Sequence, residues 1–208
     1  MKSHDFLLEL GTEELPPKLL VSLSNSFRDN FNQELDKINI SFNSIKAFAT
    51  PRRLAISISK LQSKQQNQVI DKKGPSTQSP ETAINGFAKS CGVNVSELKK
   101  KELGGKEYFF FSIVQPGQNI KDLLPTIIEK SIKDIPITRA MKWGDSEYSF
   151  VRPVHWLVSI LDKDIISAKI MGLESGRVSQ GLRFQESSLR FSHANEYEQT
   201  MKDKAQIL

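Results

Sequence analysis

Phe6-Leu7-Leu8-Glu9-Leu10-Gly11-Thr12-Glu13-Glu14-Leu15-Pro16-Pro17 is the stretch that decides the fold. Phe6 to Leu10 reads as a short buried strand, and Gly11 ends it. Pro16 and Pro17 then stand where a helix starts without losing a needed amide N–H. From Leu20 the apolar positions Leu20, Leu23, Phe27, Phe31, Leu35 and Ile38 recur every three or four residues, which predicts one amphipathic helix. A strand followed directly by a helix, with no regular alternation later, gives an α+β class with two small subdomains.

Further along, Ile45 to Phe48 and Leu54 to Ile58 read as strands about the Thr50-Pro51 turn. Gln62 to Gln68 is polar enough to be a mobile loop. A second helix is expected with Ser79 as N-cap, Pro80 as its first residue and Gly92 as its stop, with Ile84, Phe87, Ala88 and Cys91 on the inner face. Gly104-Gly105 reads as the turn of a hairpin leading into Tyr108 to Val114. A third helix is expected over Asn119 to Asp134, kinked or delayed by Pro125. Phe150 to Leu161, Ile165 to Met171 and Gly181 to Phe184 read as strands of a second sheet, and Asn195 to Ile207 as a final helix without a stop signal. The expected subdomains are residues 1–115, holding a basic window at 46–101, and residues 116–208, which read as cut short at the C-terminus.

The 208 residues are enough for a real core, and the composition excludes collagen-like, coiled-coil and wholly disordered readings. No apolar run approaches the roughly 20 residues that cross a bilayer, and the first residues lack a signal-peptide layout. The single cysteine, Cys91, makes no internal disulfide. These features predict a soluble protein of a reducing, cytoplasmic compartment with no membrane partner. Net charge is +5, yet the window from Lys46 to Lys101 holds eleven basic and three acidic residues. Such a concentration suits a polyanion, because each neutralised phosphate releases counterions; a solvated lysine-rich face is the alternative.

Catalytic constellations are sought and not found. There is no phosphate-binding glycine loop, no Gly-x-Ser-x-Gly elbow and no Cys-x-x-Cys. His4, His155 and His193 are far apart in sequence and outside any ligand-spaced cluster, so neither a catalytic residue nor a metal site is assigned. Cys91 and His155 read as core residues. Glu13 and Glu14 read as structural ion-pair candidates for Arg52 or Arg53, with acid/base work as the alternative. Arg52 and Arg53 offer planar forks that grip phosphate, and strand alternation would turn one inward and the other outward. Lys142-Trp143 sets a cation beside an indole that either stacks an unpaired base or caps a core edge.

Several blocks, in order, resemble the β subunit of bacterial glycyl-tRNA synthetase. They are the opening stretch quoted above, Phe48-Ala49-Thr50-Pro51-Arg52-Arg53-Leu54-Ala55, Lys73-Gly74-Pro75-Ser76 and Gly86-Phe87-Ala88-Lys89-Ser90-Cys91-Gly92-Val93. Met141-Lys142-Trp143-Gly144-Asp145, Phe150-Val151-Arg152-Pro153-Val154-His155-Trp156 and Gly181-Leu182-Arg183-Phe184 continue the match. The family usually has histidine where Leu182 stands, and its stretch between Ser76 and Ala83 is often longer. Its members are several times the length of this chain, so the resemblance is to the N-terminal portion. It implies an α2β2 ligase that joins glycine to tRNA(Gly), with ATP and magnesium used in the α subunit and no cofactor on this portion. Arg52, Arg53, Lys72, Lys73, Lys142 and Arg152 are the expected RNA contacts. A scaffold linking the α subunit to later β domains is the alternative, and a self-contained hydrolase built on Cys91 is a third.

Overall fold

The chain begins with the expected strand, β1 (Ser3–Thr12), and helix, α1 (Leu20–Lys37), in a computed structural model that describes residues 2–145, 147–182 and 188–206. Next come β2 (Ser44–Thr50), β3 (Arg53–Gln62), β4 (Gln68–Ser76), α2 (Glu81–Cys91), β5 (Lys99–Leu103), β6 (Lys106–Gln115) and α3 (Ile120–Lys133). Short strands follow: β7 (Met141–Lys142), β8 (Ser149–Phe150), β9 (Val154–Leu161), β10 (Asp164–Ile165), β11 (Lys169–Ile170), β12 (Leu173–Glu174), β13 (Val178–Gln180) and β14 (Ser188–Arg190). The last helix is α4 (Tyr197–Asp203). The α+β class holds. The two compact units are not those expected, however: residues 1–65 join 118–208, and residues 66–117 form an insert.

The reason is the pairing of β1. It is the centre of an antiparallel five-stranded sheet ordered β10-β9-β1-β3-β2, so β9 joins the first sheet instead of starting a second. A boundary at residue 115 would cut through that sheet. Both faces of β1 are covered, which is why its apolar residues run consecutively. Phe6, Leu8 and Leu10 meet Leu23, Phe27, Phe31 and Leu35 of α1 and Leu124 and Ile128 of α3 in the main core. Leu7 faces the other way, towards Phe191, Tyr197 and Met201. Pro153 breaks the strand expected from Phe150 to Leu161, leaving β8 to pair with β7 while β9 starts at Val154. Pro125 does not delay α3: Asn119 caps it by accepting the Lys121 amide at 3.0 Å, and the helix runs from Ile120 with the proline inside. The expected strand at Gly181 to Phe184 falls half outside the described residues, and the helix expected over Asn195 to Ile207 ends at Asp203, with Ile207 outside the described residues.

The insert is an antiparallel sheet ordered β4-β6-β5 with α2 on one face. Its small core is Ala88, Leu98 and Phe109, with Ile84, Phe87 and Phe111 packed around it. The hairpin turn at Gly104-Gly105 has φ of +61° and +74°, which glycine adopts without Cβ strain. Pro80, and not Ser79, occupies the N-cap position of α2, and no side chain caps it. Cys91 is only half-buried and lies outside the packed cluster, because that core closes on Ala88 one turn earlier. The polar stretch near residue 65 is less free than expected: Gln65 donates its amide to the Gln118 carbonyl at 2.9 Å, and Lys64 bridges to Asn119. That pairing joins the points where the chain leaves and re-enters the larger unit.

Candidate functional site

One carboxylate sits in the middle of the apolar strand and organises this end of the sheet. Glu9 is fully buried and faces the second core, so its charge must be met inside. Its Oε1 accepts from the Trp156 indole N–H at 2.6 Å and from the Ser179 hydroxyl. Its Oε2 accepts from the Tyr197 hydroxyl at 2.6 Å and from Arg53 at 3.4 Å. Burial and then the Glu9 charge push the Tyr197 hydroxyl well above its ordinary range, which keeps it a donor. Arg53 also donates to the Gln180 carbonyl at 2.8 Å, and its guanidinium lies 5.9 Å from the centre of the Trp156 ring. Register explains the meeting, since Gly11 pairs with Arg53 on one side and Trp156 on the other. A Cβ on Gly11 would fall 1.8 Å from the indole, so the absent side chain makes the slot.

Arg53 is therefore not an RNA contact in this fold. It is 2% exposed with both terminal nitrogens occupied, and it is the ion-pair partner of Glu9 rather than of Glu13 or Glu14. Its neighbour Arg52 goes the other way, as strand alternation predicts.

Arg52 lines a polar cleft of 470 Å³ with Glu13, Glu14, Arg152 and His155. Backbone bonds draw three distant segments together there. Thr12 and Leu15 donate to the carbonyls of Arg52 and Pro51 at 2.9 and 2.6 Å, and Glu13 donates to that of Pro153 at 2.9 Å. Arg152 is steered by its Nε, which donates to the Glu14 carbonyl at 3.2 Å. His155 stands on an apolar strand but points outward, half-exposed, with Nε2 3.2 Å from the Glu13 carboxylate. The core role expected of it is thus corrected. Among the described residues no hydrogen bond or ion pair takes up the Arg52 guanidinium. The cleft offers two guanidinium forks and a carboxylate–imidazole pair, and among the described residues that line it there is no serine, cysteine, threonine or lysine. Such a set suits holding an anionic or hydrogen-bonding group more than attacking one.

The other expected contacts lie elsewhere. Lys142 is exposed and pairs with Glu147 at 3.0 Å, while Trp143 packs at the edge of the main core. Lys72 and Lys73 belong to β4 of the insert, where Lys73 stands 3.8 Å over the ring of Tyr108.

Sequence separation hid one further cluster. His4 meets Asp162 at 2.6 Å across 158 positions, and Asp5, Asp162 and His193 bring ligand-type atoms within 4.8 Å of one another. His193 Nδ1 accepts the Asn195 amide at 3.2 Å, and its Nε2 lies 3.9 Å from the Asp162 carboxylate. The cluster is a hydrogen-bonded corner. Glu9 was likewise unassigned from sequence, although a carboxylate amid Phe6, Leu7, Leu8 and Leu10 signals a buried partner.

Fold and cleft define a class: a mixed α+β chain on an antiparallel sheet whose central strand is covered on both faces, presenting charged forks at its cleft. The family model described as glycyl-tRNA synthetase beta subunit matches residues 6–208, and the chain belongs to that family. It is 43% identical over 191 residues to the glycine–tRNA ligase beta subunit of Coxiella burnetii (strain Dugway 5J108-111), covering 88% of this chain and 28% of that protein. It is 37% identical over 216 aligned positions to the corresponding subunit of Edwardsiella ictaluri (strain 93-146), covering 100% and 31%. The chain therefore spans less than a third of the length of these relatives. Among the described residues no helix is long and apolar enough to cross a membrane.

Proposed function

We propose that the chain supplies tRNA contacts and a subunit-assembly surface to an α2β2 glycine–tRNA ligase of the cytoplasm. The α subunit then carries the ATP- and magnesium-dependent joining of glycine to tRNA(Gly), and no residue of this chain is assigned to either cofactor. The observation that carries the reading is a beta-subunit family member whose cleft sets two guanidinium forks, Arg52 and Arg152, together in its lining. Arg52 and Arg152 are the cleft's contacts, and Lys142, exposed outside that lining, is a separate one. Against the hydrolase reading, the Cys91 thiol lies 3.9 Å from the Ser90 hydroxyl, and no histidine or carboxylate bonds to it among the described residues.

The test is a salt series of binding between the chain and tRNA(Gly), with a noncognate tRNA alongside. Arg52→Glu is expected to weaken binding and lower the slope of log affinity against log salt by about 0.7–0.9 for the lost contact. An unchanged slope in a folded variant removes Arg52 from the interface. A scaffold without tRNA contact is the second reading, favoured by the commitment of Arg53 to the buried Glu9 pair. It predicts no binding even at low salt and full association with the α subunit.

A further inference from the structure

The insert sorts its charges by face. In an antiparallel sheet cross-strand partners share a face and sequence neighbours alternate. Phe109 and Phe111 pack with Phe87 and Ala88 of α2, so their partners Lys100 and Lys72 stand on the helix side. Glu102 and Glu107 are paired with each other on that same side, which therefore balances two lysines with two glutamates. The opposite face carries Lys73 and Lys99 on either flank of Phe110, Lys101 beside Tyr108, and Lys106, against one acid, Asp71. Asp71 is already taken by Lys101 and by the Ser112 hydroxyl at 2.7 Å. Phe110 is only 7% exposed, although its face carries no helix of the insert. Lysine stems flank it in register, with Lys101 Nζ 5.5 Å from its ring and Lys73 Nζ 3.8 Å from that of Tyr108. Two of the ammonium groups are thus held over rings, the lysines are exposed, and the face carries four of them against one acid, Asp71.

We propose that this helix-free face is an RNA-contacting surface that takes the phosphate backbone of tRNA, with Lys73 and Lys99 as the principal phosphate contacts. The proposal rests on the tRNA-binding reading above and deepens it by naming the surface. Charge complementarity selects the occupant, because four lysines that share a face with the single acid Asp71 gain most from a polyanion that sheds counterions. Lys72, adjacent to Lys73 and of equal promise in the sequence, stands on the opposite, helix-bearing face and is left out of this surface.

Two double variants with the same net charge separate face from overall charge. Lys73→Gln with Lys99→Gln is expected to lower the salt slope for fluorescently labelled tRNA(Gly) by about 1.4–1.8 and to weaken binding about 10- to 50-fold at roughly 0.1 M salt. Lys72→Gln with Lys100→Gln is expected to stay within about twofold of the unsubstituted chain, because neither lysine reaches phosphate. Circular dichroism checks that both remain folded. Equal weakening by the two doubles would mean diffuse attraction and overturn the proposal, as would an unchanged slope in both. Loss of α-subunit association by the first double, with its tRNA slope intact, would assign the face to a protein and also overturn it. Absence of binding by the unsubstituted chain would remove the underlying reading before any variant is compared.

Discussion

The five-stranded sheet and the three-stranded insert are both antiparallel, and both carry charged residues in their strands, yet they use them in opposite ways. In the larger sheet, β1 is covered on both faces, so Glu9 and Arg53 find partners inside and hold five segments together, β1, β3, β9, β13 and α4. In the insert one helix covers one face, and the lysines of the other stand in solvent. The same residue type is therefore structural or available according to whether its face is covered. Arg52 and Arg53 make the point within two residues: one opens onto the cleft and the other is locked in the core.

The contrast is broken most forcefully at Glu9. Glu9→Ala leaves the Arg53 guanidinium buried and uncompensated, and urea unfolding should show a loss of about 3–5 kcal/mol. Glu9→Leu combined with Arg53→Leu should recover much of that loss, since no lone charge remains. A single substitution costing under about 1 kcal/mol would show that the pair is not locked and would collapse the distinction between the sheets.

Paired glycine changes sharpen it at intermediate scale. Gly11→Ala drives a Cβ into the Trp156 ring and should cost about 1–3 kcal/mol, read by thermal melting together with a change in indole fluorescence. Gly86→Ala, in a helical position of α2 with nothing within 4 Å, should instead stabilise the insert by about 0.5–1 kcal/mol.

The smallest effect is a pH dependence at the surface. Hydrogen bonds from Lys46 and then Lys202 hold the Glu198 carboxyl down to about 2. A carboxyl depressed in the folded state stabilises above its unfolded value of 4.5 and loses that contribution as pH falls from there towards 2. Both lysines are well exposed, so the effect should be small and should fade with salt. Glu198→Gln should flatten that part of the acid-stability curve, and an identical curve in low salt would remove Glu198 from it.

Much of this was legible locally. The helix of α1 follows from its apolar spacing, the Gly104-Gly105 hairpin from turn chemistry and the end of α2 from Gly92, because each depends on residues within a few positions. The cap of α2 lies one residue beyond Ser79 and its core closes one turn before Cys91, because capping and core depth depend on what the helix meets. The fate of β9 was out of reach, since strand periodicity states that a face is buried and not which strand lies beside it. The cleft shows the same limit: Arg52 and Arg152 were chosen individually, and nothing local could bring them together with His155 and Glu13.

The sequence by itself determined the class, the family, the main helices and the presence of a cationic window, since these reside in pattern, composition and order of motifs. Tertiary structure alone decided that residues 66–117 form an insert, that Arg53 belongs to Glu9, and that Lys73 and Lys72 face opposite ways. The physical reason is common to all three. A charge is structural or free according to the dielectric and the partners around it, and those are supplied by strands and helices up to 188 positions away, as Tyr197 is from Glu9.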